Sequence, residues 1–203
     1  MPTDDRHDVF SDPQRVRAMA HPVRLRLIDF LGTVSEATAT ECAEHVGESV
    51  ASCSFHLRML AKYGFIERAP ARGREKPWRL ISRTQSATPD PDNPESIQAL
   101  SALGLTFLEY QVGLMRAWIE RGARRVEPEW LLATTQTASS MWLTREELAE
   151  VSETIQGISG RFAGRWDDPS TRPPGSRPIR MFAMTFPDPD MTTTGEPAAE
   201  SDR

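Results

Sequence analysis

Cysteine is scarce in this sequence, with only Cys42 and Cys53 in 203 residues. Two thiols cannot build the disulfide framework of a small secreted domain. Both sit among apolar neighbours in helical patterns, where a free cysteine behaves as a small hydrophobe. No apolar run reaches the roughly 18–20 residues that cross a bilayer. The N-terminus, "MPTDDRHDVF", is acidic where a secretory leader is basic and then apolar. A cytoplasmic protein without a membrane partner is the expectation. Catalytic signatures are missing too. There is no Gly-x-Ser-x-Gly, no phosphate-cradling glycine loop and no His-Glu-x-x-His. The four histidines, His7, His21, His45 and His56, all lie in the first third of the chain. Neither an enzyme nor a cofactor is expected. Lysine is nearly absent, at 2 against 22 arginines, which hints at a GC-rich bacterial source. Positive charge is therefore carried by the planar guanidinium, which suits phosphate better than an ammonium does.

That charge is unevenly placed. The chain carries −5 overall, yet His45 to Arg83 holds 8 Lys/Arg against 3 Asp/Glu. Residues 1–85 hold 13 against 11, and the remainder 11 against 18. A basic window in an acidic protein asks for an anionic partner.

The pattern around that window is regular. Residues 1–11 read as disordered. Asp12 and Pro13 resemble a helix cap and first-turn proline, and His21-Pro22 breaks the helix they begin. In "VRLRLIDFLG", Val23, Leu27, Ile28 and Leu31 share one face. Thr38 with Glu41 makes a capping box for "ATECAEHV", which stops at Gly47. Ser49 caps a fourth helix that turns Cys53, Leu57 and Leu60 inward and stops at Tyr63-Gly64. Two strand candidates, "FIERA" and "PWRLI", flank Pro70–Arg74 as a basic hairpin. Helix, short helix, glycine turn, second helix and hairpin form a winged helix-turn-helix pattern.

Residues 14–82 also resemble the ArsR-type winged-helix repressors. The resemblance is carried by "MAHPVRLRLIDFL", "TATECAEHVGESVASCSFHLRMLAKYGFIERA" and "PARGREKPWRL". It implies a dimeric repressor bound to a palindromic duplex operator. Ser49, Val50, Ala51, Ser52, Ser54 and Phe55 would meet the major groove. Arg58 and Lys62 would reach the backbone, and Arg72, Arg74 and Lys76 the minor groove or its phosphates. His56 matches a family histidine, read either as a phosphate contact or as a packed, hydrogen-bonded side chain. With few bidentate base readers, phosphate contacts and DNA shape would contribute much of the binding. Many ArsR-type proteins sense metals through a Cys-x-Cys pair, but Thr38 and Thr40 stand at the aligned positions. Hydroxyls are poor ligands for soft metals, so no metal site is expected.

Residues 85–95 read as a linker rich in proline and acid. Ser96 then caps a long helix to about Arg125. Leu100, Leu103, Phe107, Tyr110 and Leu114 recur at heptad spacing as a dimer seam, and Leu105, Leu108, Val112, Met115 and Ile119 form a second stripe. One face would meet a second copy and the other the rest of its own domain, the alternative being the central helix of a monomeric core. "EWLLATTQTASSMWLT" and "RPIRMFAMTF" read as strands around a helix capped by Thr144 and Glu147. Trp118, Trp130, Met141 and Trp142 are candidate lining for a small-molecule effector pocket. Residues 187–203 read as a disordered acidic tail.

The expected fold is α+β and mostly helical. A DNA-binding domain over 12–84 precedes a dimerisation and effector module over 96–186, made of the long helix and a strand-helix-strand unit. The expected function is a dimeric, sequence-specific transcriptional regulator. The alternatives are a winged-helix protein-interaction module and a redox- or small-molecule-responsive regulator.

Overall fold

The computed structural model of the chain describes residues 8–82, 85–162 and 164–188. The expected disorder of residues 1–7 and 189–203 lies outside the described residues. Within them the chain divides into two compact units. One comprises the residues up to Thr137 with those of 164–172, the other residues 138–162 with 173–188.

In the first unit, α1 (Pro13–Met19) begins under the Asp12 carboxylate, which accepts from the backbone N–H groups of Gln14 and Arg15. His21 caps α2 (Pro22–Thr33) through Nδ1, which accepts from the Val23 N–H at 3.2 Å. The Thr38–Glu41 capping box forms at the start of α3 (Ala39–Val46), and Gly47 ends it in the left-handed region at φ 72°. Any side chain there would be strained, which explains the glycine. Ser49 caps α4 (Val50–Lys62) by accepting from the Ser52 N–H at 3.1 Å. The hairpin follows as β2 (Ile66–Arg68) and β3 (Trp78–Leu80), antiparallel with Glu67 opposite Arg79. Ala37 exchanges two backbone hydrogen bonds with Trp78, at 2.9 and 2.7 Å, and staples β3 to the turn before α3.

One core unites these elements. Val16, Leu27, Leu31, Cys42, Cys53, Leu57, Leu60 and Phe65 are fully buried in it. Burying each leucine contributes about 1.5–3 kcal/mol relative to leaving it in water. Phe10 meets Phe65 edge-on at 5.3 Å, and the Arg15 guanidinium lies over both rings. Arg15 Nε also donates to the Tyr63 carbonyl, 3.0 Å away, where α4 ends. A cation is thus satisfied in a half-buried place by two π faces and a carbonyl.

Three expectations change here. Residues 8–10, read as disordered, form β1 (Asp8–Phe10), which pairs in parallel with β4 (Gln85–Ala87) inside the expected linker. Burial of Phe10 under Arg15 supplies the anchor for that pairing. The long helix, α5 (Pro94–Ala117), is capped by Asn93 with Pro94 in its first turn. Ser96 is instead fully buried: its hydroxyl donates to the Ser11 carbonyl and accepts from the Asp90 N–H. Lastly, α5 packs on α1 and α2. Ala99 and Leu103 enter the common core, and the Tyr110 hydroxyl donates to Asp29 of α2 at 2.7 Å.

A π-helical turn at Trp118–Gly122 closes α5, followed by a 3-10 turn at Ala123–Arg125. Part of the first expected strand is helical, as α6 (Pro128–Leu132). Pro128 presets the helical φ there and needs no N–H partner in a first turn. The rest of that stretch and residues 177–186 carry no strand. Alternation describes a half-buried face, but a strand also needs a neighbouring backbone, and both stretches remain largely exposed. The helix between them is present as α7 (Arg145–Gly160), with its Thr144–Glu147 capping box. A short α8 (Gly164–Asp167) follows. The described residues are mostly helical, with two small two-stranded sheets.

Phe65 joins β1, α1 and the end of α4. The Phe65→Ala variant should lose about 3–5 kcal/mol of unfolding free energy in urea titration. A loss below about 1 kcal/mol would show that this junction does not hold the unit together.

Candidate nucleic-acid interface

Burial of Cys53, Leu57 and Leu60 turns the opposite face of α4 outward. Ala51, Phe55, Arg58 and Lys62 fall on that face at 4-3-4 spacing, and all four are exposed. Phe55 is 53% exposed and Val50 46%, unusual for apolar groups on a helix with a full core behind it. Ser49 is exposed at the helix start but already engaged as its cap, whereas Ser52 and Ser54 are half-buried.

The wing separates its cations by role. Arg72 and Glu75 exchange backbone hydrogen bonds at 3.1 Å around Gly73-Arg74. Gly73 has φ 64° and Arg74 a negative φ, the sign pattern of a type II′ hairpin turn, which wants glycine first. The Arg68 guanidinium lies 3.6 Å over the Trp78 ring and donates to the Lys76 carbonyl. Arg79 pairs across the strands with Glu67 at 2.6 Å. Arg72 reaches Glu36 at 3.1 Å and Glu41 at 3.5 Å. Arg74, Lys76 and, on α4, Arg58 are exposed and make no ion pair among the described residues.

Beneath α4, the rings of His56 and His21 lie 4.4 Å apart, and Phe55 meets His56 edge-on at 5.2 Å. His56 Nδ1 and Arg24 Nε are buried without a hydrogen-bond partner. Burial holds both imidazoles below their ordinary value of 6.5. Arg24 adds to the effect on each, His21 acts on His56, and Glu48 opposes. His56 is half-buried and packs against both His21 and the exposed Phe55. No site role for His21 follows from the sequence, where His21-Pro22 marks a helix break and lies in the stretch that resembles the ArsR-type regulators.

Residues 19–69 match the family model of a helix-turn-helix domain. This segment is a helix-turn-helix domain. The match lies within residues 14–82, the stretch that resembles the ArsR-type regulators. A solved structure described as a "possible transcriptional regulator for arsenical resistance" is 26% identical, with a TM-score of 0.31. That match covers 51% of this chain and 96% of the other. No curated protein matches the chain.

Inside the helix-turn-helix domain, both cysteines are fully buried. Burial, with Cys53 and Glu41 nearby, pushes the Cys42 thiol up to about 12, and burial also raises Cys53. Protonated, buried thiols are poor nucleophiles and poor ligands. Thr38 is occupied as a helix cap, and Thr40 is exposed. The His45 ring stacks on Phe30 at 4.0 Å.

On α5 the two apolar stripes have different roles. Of the expected dimer seam, Leu103 is buried in the shared core, Tyr110 is tied to Asp29, and Leu100 and Leu114 are half-buried. Phe107 lies at the exposed edge. The second stripe, which runs from α5 into the π-helical turn, is the open one: Leu105, Leu108, Val112, Met115 and Ile119 are all exposed. Of the candidate effector residues, Trp118 and Trp130 belong to the first unit, and Met141 and Trp142 to the second. Trp142 is 71% exposed, and Met141 is exposed as well. Trp118 covers Gly122 so closely that a Cβ there would come within 2.4 Å of its ring. In the second unit, Leu143, Val151 and Ile155 line an open cleft along α7.

The histidine pair gives the domain an acid sensitivity of defined sign. The unfolded chain takes up protons near pH 6.5, the folded chain only below it. This stabilisation is complete above that pH and is lost as pH falls through the lowered folded values. The melting temperature should drop from about pH 8 to about pH 5.5, and the drop should shrink in a His21→Asn/His56→Gln variant. An equal drop in that variant would exclude the pair as its source.

Proposed function

We propose that this chain is a sequence-specific DNA-binding transcriptional regulator that acts as a homodimeric repressor. The observation that carries the reading is the pairing of an outward α4 stripe, Ala51, Phe55, Arg58 and Lys62, with a wing tip bearing Arg74 and Lys76. A helix of that width enters a major groove, while cations on its flank and on the wing meet phosphates. Val50, Ala51 and Phe55 suit thymine methyl groups and lack hydrogen-bonding forks. Base readout therefore rests on apolar contact and duplex shape. Buried, protonated thiols and the capping role of Thr38 support a regulator that does not sense metal through the usual cysteine pair.

Two such domains reading a palindrome need a two-fold axis. The face of α5 available for it is the second stripe, because Leu103 and Tyr110 are committed to their own domain. Leu105 and Ile119, 65% and 64% exposed, bracket that stripe. A small molecule or protein that changed the spacing of the two heads would change occupancy of the operator.

Exposed Phe55 and Val50 also favour a second reading, in which α4 docks on a protein. Salt separates the two. Affinity for duplex should fall with salt at a slope of about 0.9 per phosphate contacted, whereas an apolar protein interface should barely respond.

Reversing charge at Arg58→Glu and Arg74→Glu together should abolish retention of a duplex selected from a random pool, with circular dichroism and melting temperature unchanged. Undiminished binding would refute the proposed interface. For the dimer, Leu108→Glu with Ile119→Glu should halve the mass measured by light scattering, and the same change at Leu100 and Leu103 should unfold the domain instead. A dimer that survives the first pair would rule out the second stripe.

A further inference from the structure

We infer that Arg72 is a positioning residue that latches the wing to the helix-turn-helix, and that it makes no phosphate contact of its own. The inference deepens the DNA-binding reading and rests on it.

The wing is fastened at its base and exposed toward its tip. At the base, Ala37 and Trp78 exchange backbone hydrogen bonds, and Trp78 and Pro77 are buried. Beyond that point every residue from Pro70 to Lys76 is exposed, so no apolar packing fixes the direction of the tip. The Arg72 fork supplies a tie. Its Nε faces Glu36 at 3.1 Å and its Nη2 faces Glu41 at 3.5 Å. Glu36 precedes Ala37, the residue that staples β3, and Glu41 is the capping-box carboxylate of α3. Both anchors therefore sit at the rigid entrance to the helix-turn-helix. The Arg72 backbone closes the hairpin with Glu75. One residue thus joins the turn to the body, and the direction in which Arg74 and Lys76 project depends on it.

Charge points the same way. The Arg72 cation already faces two carboxylates, which reduces what it offers a phosphate. Arg74 and Lys76 have no such carboxylate among the described residues. A phosphate contact releases counterions from the duplex, whereas a contact that only aims the wing does not.

The test uses the full chain and a duplex selected by the parent from a random pool. Arg72→Gln should bind about two- to fivefold more weakly, the scale of an exposed ion pair. Its salt slope should equal the parent's, while Arg74→Gln should lower the slope by about 0.9. Independently of DNA, Arg72→Gln and Glu36→Gln/Glu41→Gln should raise the backbone mobility of Gly73, Arg74 and Glu75 by nuclear magnetic relaxation, and to a similar degree. Glutamine at position 41 preserves the capping box, so α3 should stay intact. A reduced salt slope for Arg72→Gln would assign it a phosphate and overturn the proposal. So would unchanged affinity, or a tip as ordered in the variants as in the parent. Should the parent bind no duplex, the DNA reading fails, and the relaxation comparison alone still decides the latch.

Discussion

The inward commitment of Cys53, Leu57 and Leu60 is the constraint on which the rest of this structure depends. A helix has one set of faces, and three fully buried side chains on one of them leave the rest no choice. Ala51, Phe55, Arg58 and Lys62 are outward because these are inward. The same core holds Leu27, Leu31, Cys42 and Phe65, so the exposed stripe is presented on a rigid body. Cys42 and Cys53 are fully buried in the same core, and burial raises both thiols above their ordinary value.

Around that body the cations divide into those that build and those that remain open. Arg15 closes the junction of α1 with the end of α4, Arg68 covers Trp78, Arg79 pairs across the hairpin and Arg72 faces two carboxylates. Arg58, Arg74 and Lys76 are left facing solvent. The positive charge that marks the window in the sequence is thus larger than the charge offered to a ligand. Exposed ion pairs are worth little individually, so the committed arginines matter for direction more than for stability.

Much of the helix-turn-helix was legible because its signals are local. A capping box needs only Thr38 and Glu41, a stop needs only Gly47, and an inward face needs only 3-4 spacing. A contact between residues distant in the chain leaves no such local signal. Phe10 is anchored by Phe65 and Arg15, far along the chain or across a helix, so β1 could not be foreseen. Leu103 and Tyr110 show heptad spacing whether they meet a second copy or their own α1 and α2, and periodicity does not distinguish the two. The strand patterns at 134–143 and 177–186 lacked a partner backbone. In the candidate interface, exposure of Phe55 and Arg58 followed from the pattern, but the pairing of His56 with His21 and the carboxylates at Arg72 required three dimensions.

The account's central claim is that the outward stripe of α4 and the tip of the wing meet duplex DNA. Titrating the isotope-labelled chain with a selected duplex, and following backbone amide resonances, tests it most directly. The largest shifts should fall on Ser49–Phe55, Arg58 and Gly73–Lys76, with α7 unmoved. Shifts concentrated on α7 or on the exposed stripe of α5, with α4 and the wing silent, would contradict it.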